Sequence, residues 1–158
     1  MKTFKRLVLI TLAAMLLFCT PAMAKIKSYK AKKVTATQII KQVKKKMPIT
    51  NIVPVSRKSR PDLAPMFDHP NMYKTKINFN DRSYPSIYCS VEVFRSNHDA
   101  ATRLAELNVT ATFYDILGIT IDFPSTNYRY KNTIIRLNDA MPTAYALKYY
   151  KLLKKIIK

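Results

Sequence analysis

The sequence has few of the residues that most often mark a catalytic or cofactor-binding loop. Only one of its 158 residues is glycine, Gly118, and none is tryptophan. Average usage of about 7% would predict about 11 glycines, so the glycine-rich loops that cradle phosphate groups are absent. Acidic residues are also scarce, nine against 28 lysines and arginines. This scarcity limits the carboxylates available for acid–base catalysis.

The sequence also lacks an apolar stretch long enough to cross a membrane, and its first 24 residues have the order of a cleavable secretory signal peptide. Three basic residues precede an apolar stretch at positions 7–18, and Ala22 and Ala24 have the spacing of a signal peptidase site. This stretch of 12 residues is shorter than the roughly 20 needed to span a bilayer. We therefore predict export, cleavage near Ala24 and a mature chain that starts at Lys25.

The chain has only two cysteines, and Cys19 offers an alternative end to the signal segment. It follows leucines at the spacing of a lipoprotein signal, but Phe18 stands where such signals have a small residue. Release after Ala24 is therefore favoured over lipid anchoring at Cys19. Cleavage leaves only Cys89, which excludes a disulfide within the mature chain. Because Cys89 lies in an apolar, strand-like stretch, we predict that it is buried and unreactive.

Positive charge is concentrated at the two ends of the mature chain. Loss of residues 1–24, with three basic residues and no acid, lowers the formal net charge from +19 to +16. Residues 25–46 hold nine lysines and residues 148–158 hold five, with no acid in either range, whereas the stretch between them is nearly balanced. Lysine clusters of this kind bind anionic surfaces. The candidate contacts are Lys25, Lys27, Lys30, Lys32, Lys33, Lys148, Lys151, Lys155 and Lys158.

The apolar pattern predicts a small single α+β domain at residues 34–158, preceded by a basic N-terminal tail at 25–33. We expect a mainly antiparallel sheet of about four strands with three flanking helices. Strands are predicted at 72–79, 86–94, 128–130 and 133–137. The proline-rich stretch 48–71 is predicted to be a loop or extended crossover, and residues 109–123 have a mixed pattern that fits helix or strand.

Local signals mark the ends of the predicted helices and of one hairpin. Thr35 and Gln38 form a capping box for the first helix, which stops at Pro48. Further signals are Ser96, which caps the second helix, Pro142, which opens the third, and Asn132, which supplies the positive φ of a tight hairpin turn.

Several of these stretches resemble a group of small exported proteins and lipoproteins of Gram-positive bacteria. The resemblance covers about residues 62–153 and rests on residues 68–81, 91–94, 99–103, 128–130 and 134–137. The chain departs from the group at Asn132, where a glycine is common, and in lacking a lipobox. The resemblance implies an exported, single-domain protein, and it implies no activity and no functional residue.

Candidate metal ligands and catalytic groups are few. Asp68 and His69 are adjacent, a spacing that fits a turn before Pro70 better than a shared metal ion, and His98 fits an exposed position in the first turn of a helix. No metal site, cofactor or nucleophile is predicted. A carboxylate pair would have to combine Glu92 with Asp81 or Asp122. For Glu92 we favour a strand position on the polar face of the sheet or an ion pair with a neighbouring arginine.

The sequence therefore favours a non-enzymatic, extracytoplasmic binding protein or cell-envelope-associated protein. The expected partners are anionic wall polymers or lipid head groups, bound through the terminal lysines, with a protein partner also open. Nucleic acid is disfavoured because export removes the usual partner. The alternative is a small secreted hydrolase of envelope polymers, or an inhibitor of one.

Overall fold

The computed structural model describes residues 25–56, 73–116 and 125–158. These residues form a single α+β domain with three α-helices and one antiparallel sheet. A short 3-10 turn at Ala31–Lys33 precedes the first helix. The elements in chain order are α1 (Ala36–Val43), β1 (Ile49–Val55), β2 (Thr75–Asp81), β3 (Tyr84–Val93), α2 (Asn97–Ile116), β4 (Ser125–Tyr130), β5 (Thr133–Asn138) and α3 (Thr143–Ile156).

The sheet of the described residues has five strands in the order β1-β2-β3-β5-β4. The predicted α+β class, antiparallel sheet and three helices are confirmed, but the estimate of about four strands is too low. The strand that the sequence did not indicate is β1, in the stretch predicted to be a loop. Ile49 pairs with Asp81 and Val55 with Lys76, so β1 lies at the edge of the sheet beside β2.

Two irregularities hide β1 in the sequence. The pairing shifts between Thr50 and Val53, and Asn51 has a φ of 47°. This bulge breaks the simple alternation by which strands are recognised. Pro54 is tolerated because an edge strand can place one side of its backbone away from the ladder.

One face of the sheet packs against α1 and α3 and contains the main hydrophobic core. From the sheet, this core takes side chains such as Phe79, Val91 and Ile135; from the helices, it takes Ile39 and Tyr149, all buried. Alternate strand residues point to the opposite face, where Phe94, Ala100 of α2 and Ile134 form a second, smaller core. Helices therefore cover both faces of the sheet. None of the described helices has the length and apolar character needed to cross a membrane.

The predicted capping signals are confirmed where they depend on local sequence. The Thr35 and Gln38 side chains bond reciprocally to each other's backbone N–H groups, and α1 begins at the next residue, Ala36. Ser96 Oγ accepts the Asp99 N–H at 3.0 Å at the start of α2. The mixed stretch 109–123 continues this helix as far as Ile116, and residues 117–124 lie outside the described part of the chain.

The turn between β4 and β5 differs from the prediction in one residue. The positive φ, 52°, belongs to Lys131 and not to Asn132. The Asn132 side chain instead donates a hydrogen bond of 2.8 Å to the carbonyl of Phe94, and the Phe94 N–H donates to the Asn132 carbonyl at 2.8 Å. Asn132 therefore fastens the hairpin to the end of β3.

The first ten described residues, 25–34, form an N-terminal segment that is attached to the end of α3. Tyr29 and Ile157 form a parallel bridge. The Tyr29 N–H donates to the Ile156 carbonyl at 2.7 Å, and the Lys158 N–H donates to the Tyr29 carbonyl at 2.9 Å. These bonds bring the two lysine-rich stretches, residues 25–46 and 148–158, together, an arrangement the sequence did not indicate.

Candidate functional site

The N-terminal segment, α1 and α3 form one layer on the sheet, defined as residues 25–47 and 142–158 and called the basic layer below. It contains 14 lysines and no acidic residue. Among the described residues, no ion pair joins any of these lysines to an acid. The positive charges of the two chain ends therefore add on one side of the molecule.

Every lysine predicted to contact an anionic surface is exposed in the structure. In α3, Lys148, Lys151 and Lys155 follow one another at intervals of three and four residues, so they lie along one side of the helix. Successive turns of the same helix bury Tyr149 and Leu153 against the sheet. Core packing thus orients the lysines of α3 outward as a row.

A groove lies between the end of α1 and α3, with a volume of about 480 Å³. Its floor is apolar and consists of Ile26, Met47 and Leu152. Four lysines complete the lining and form its rim: Lys46, Lys148, Lys151 and Lys155. Among the described residues, this lysine-rimmed groove combines an apolar interior with a positively charged border.

Contacts elsewhere in the basic layer hold the groove's components in place. Gln42 is buried, and its Oε1 accepts the Lys27 N–H at 3.0 Å while its Nε2 donates to the Tyr29 hydroxyl at 3.2 Å. These bonds fix the N-terminal segment beside α1, with Ile26 at the groove. Lys148 Nζ lies 5.2 Å from the centre of the Tyr145 ring, a distance that fits a cation–π contact.

The groove is lined by three of the predicted lysines and by four residues that were not predicted as contacts. Lys148, Lys151 and Lys155 belong to both sets, whereas the nominated lysines of the N-terminal segment do not line the groove. Leu152 could have been noticed because it lies four residues after Lys148 on α3. Ile26, Lys46 and Met47 could not, because their places depend on how the chain ends meet.

Glu92 lies on the opposite face of the sheet and is fully buried. Its Oε1 lies 2.8 Å from Lys76 Nζ and 3.7 Å from Arg136 Nη1. The predicted pairing with a neighbouring arginine is therefore confirmed, and a lysine is its closer partner. Because a buried charge is stable only when it is paired, these contacts account for Glu92 as part of the sheet.

Asp81 is buried on the face that packs against α3. It accepts hydrogen bonds from the Tyr145 hydroxyl at 2.8 Å, from the Tyr149 hydroxyl, and from the Ser83 N–H at 2.7 Å. Burial, followed by the Asp81 carboxylate, raises the pKa of both tyrosines. Since Asp81 and Glu92 lie on opposite faces of the sheet, they cannot flank a single glycosidic bond.

Of the remaining candidates, Cys89 and His98 lie in the described part of the chain. Cys89 is buried and free, as predicted, and burial raises the pKa of its thiol to about 11; His98 is exposed on α2. No group of three or more metal-ligating side chains occurs within the described ranges. Residues 1–24, Asp68, His69 and Asp122 lie outside those ranges.

Comparison with known proteins gives no relative for this chain: no protein-family model matches it, and neither does a curated protein or a solved structure.

Proposed function

We propose that this protein is a non-enzymatic, extracytoplasmic binding protein that associates with the cell envelope through its basic layer. The ligands are phosphate-bearing anions, present either in wall polymers or in lipid head groups. The observation that carries the proposal is that 14 lysines and no acid share one layer. Neighbouring lysines reinforce one another's potential because no acidic side chain in the layer opposes them.

Export is part of this proposal and supports the choice of partner. Outside the cytoplasm, anionic polymers and membrane surfaces are available, whereas the usual nucleic acid partners are not. We expect mass spectrometry of the exported protein to give an N-terminus at Lys25. A lipid-modified Cys19 at the N-terminus would instead place the basic layer permanently at the membrane, and an unprocessed chain retained in the cytoplasm would contradict export.

Co-sedimentation tests the proposed binding. The purified protein is mixed with phosphatidylglycerol vesicles, phosphatidylcholine vesicles or a soluble glycerol-phosphate polymer that is captured on beads. We expect retention on both anionic supports at low salt, with loss by about 0.5 M salt because screening weakens exposed charge interactions. Retention on one anionic support alone identifies the source of the phosphate. No retention on either support at low salt would overturn the proposal.

A matched pair of variants distinguishes the basic layer from net charge. Each lysine near an anionic surface contributes about 1 kcal/mol, so the triple variant Lys148→Gln, Lys151→Gln, Lys155→Gln should bind vesicles on the order of 100-fold more weakly. The control replaces three exposed basic residues outside the layer by glutamine: Lys74, Arg82 and Arg95. Both variants lose three charges. Equal losses of binding would show that net charge, and not the basic layer, determines retention.

A further inference from the structure

The lysine-rimmed groove has a concave shape that binding to a flat anionic surface does not require. Contact with a charged surface requires only protruding ammonium groups, yet these four lysines surround a concavity of about 480 Å³ whose floor is apolar. This volume lies in the range of small-molecule sites, which are also mostly apolar with a few polar groups. A wall polymer made of sugars and phosphates would leave the floor without an apolar partner.

The chemistry of the lining defines the occupant. Ile26 and Leu152 offer no side-chain hydrogen-bond donor or acceptor, the Met47 thioether is only a weak acceptor, and lysine ammonium groups only donate. An occupant must therefore present an apolar portion to the floor and an anionic acceptor to the rim. An acidic peptide fits less well, because its buried backbone N–H groups would find only the weak Met47 thioether as an acceptor among these side chains.

We propose that the groove binds the acyl chain of an anionic phospholipid, with the phosphate group held by Lys46, Lys148, Lys151 and Lys155. This inference rests on the proposed function and names the ligand of one part of the basic layer. The exposed lysines bring the protein to an anionic membrane. The groove then takes up one acyl chain. Because that chain leaves an apolar bilayer, its burial adds little to vesicle retention, and soluble alkyl chains are needed to measure it.

Calorimetric titration with soluble alkyl phosphates tests the chain site apart from the membrane. The ligands are inorganic phosphate, octyl phosphate and decyl phosphate, below their micelle-forming concentrations and at about 0.5 M salt to suppress exposed charge interactions. Each buried methylene should strengthen binding about fourfold, so decyl phosphate should bind about 15-fold more tightly than octyl phosphate. Decyl trimethylammonium, with the same chain and the opposite charge, should bind at least 10-fold more weakly than decyl phosphate.

Variants of the partly buried floor residues test where the acyl chain binds. Ile26→Gln and Met47→Gln should each reduce the gain from octyl to decyl phosphate. Val53→Gln is the control, because Val53 is an exposed apolar residue of β1 outside the groove. Circular dichroism confirms that each variant is folded.

The outcomes separate this inference from the proposed function. Three results would overturn the acyl-chain site even if vesicles retain the protein. Octyl and decyl phosphate could bind equally tightly, or decyl trimethylammonium could bind as tightly as decyl phosphate. Val53→Gln could also reduce the gain as much as Ile26→Gln and Met47→Gln do. If neither anionic support retains the protein at low salt, the proposed function is overturned, whether or not the alkyl phosphates bind.

Discussion

At the scale of single residues, Asp81 is a buried carboxylate held by three neutral donors. Two are tyrosine hydroxyls of α3, and the third is the Ser83 N–H in the turn after β2. A buried acceptor that loses its donor keeps the cost of leaving water, about 1–3 kcal/mol for each group left unsatisfied. Asp81 therefore links the position of α3 to the end of β2.

The substitution Tyr149→Phe tests this link. The ring stays in the core, so the variant removes a donor without opening a cavity, and we expect the free energy of unfolding to fall by about 2 kcal/mol. Tyr145→Phe is the matched control: it also removes a hydrogen bond to Asp81, but Tyr145 is only partly buried and water can replace its hydroxyl. Urea denaturation at neutral pH measures both variants. A smaller loss for Tyr149→Phe than for Tyr145→Phe would contradict this view of Asp81.

Cys89 makes stability depend on pH in the alkaline range. Burial raises the pKa of the folded thiol from 9.0 to about 11, so the thiol contributes its full stability below pH 9. As pH rises from about 9 to about 11, the unfolded chain loses the proton first, and up to about 2–3 kcal/mol of stability is lost.

Unfolding measured from pH 8 to pH 11 for the native protein and for Cys89→Ala tests this expectation. The variant should be less stable at pH 8, because it loses buried atoms, but its stability should decline less steeply above pH 9. Tyr149, whose pKa is also raised, remains in both proteins; Cys89 is the smallest of the causes that raise this pKa, so most of the Tyr149 contribution cancels in the comparison. Parallel pH profiles would show that the thiol does not contribute to the decline.

At the scale of elements, the N-terminal segment is attached both by the backbone bridge between Tyr29 and Ile157 and by one buried side chain, Gln42. The substitution Gln42→Leu keeps the side chain's bulk and removes the partners of the Lys27 N–H and the Tyr29 hydroxyl. We expect the amide hydrogens of Tyr29 and Lys158 to exchange about 10-fold faster, which corresponds to about 1.4 kcal/mol of local stability.

The conservative variant Gln42→Glu provides the control for this prediction. Its carboxylate accepts hydrogen bonds from both groups, so exchange at Tyr29 and Lys158 should stay near the native rate. Unchanged exchange in Gln42→Leu would show that the backbone bridge between Tyr29 and Ile157 holds the segment without help from Gln42.

The elements predicted correctly are those whose signals are local. The capping box at Thr35 and Gln38, the Ser96 cap and the start of α3 at Pro142 each depend on neighbouring residues, and the structure confirms all three. The edge strand β1 was missed because the bulge at Asn51 interrupts its alternation. The apolar pattern of a sequence also does not reveal which strand pairs with which, or which face each helix covers.

Only charged residues of the candidate site could be predicted from the sequence. Lys148, Lys151 and Lys155 were recognised from composition and helical spacing, and they do form part of the rim. The groove itself requires the two chain ends to meet, and that contact is a backbone bridge between Tyr29 and Ile157. Backbone hydrogen bonds between distant residues have no side-chain signature, so a single sequence does not indicate them.

At the scale of the whole molecule, the concentration of lysines works against folding. The basic layer holds 14 lysines without an acid, and like charges at i,i+4, such as Lys151 and Lys155, destabilise a helix by about 0.2–0.5 kcal/mol for each pair. The fold tolerates this repulsion because α3 buries its other side in the core. The same repulsion is relieved when an anion binds, so ligand binding and folding are coupled through charge.

This coupling predicts that salt acts in opposite directions on stability and on binding. Raising sodium chloride from about 0.05 M to about 0.5 M screens the lysines from one another, so the thermal midpoint should rise by a few degrees while vesicle retention is lost. The triple variant Lys148→Gln, Lys151→Gln, Lys155→Gln should be more stable than the native protein at low salt and should gain less from added salt. Differential scanning calorimetry of both proteins across the salt series measures these thermal midpoints.

A thermal midpoint that falls with salt would contradict the prediction. A triple variant less stable than the native protein would mean that these lysines support the fold, and its loss of binding would then need a structural explanation.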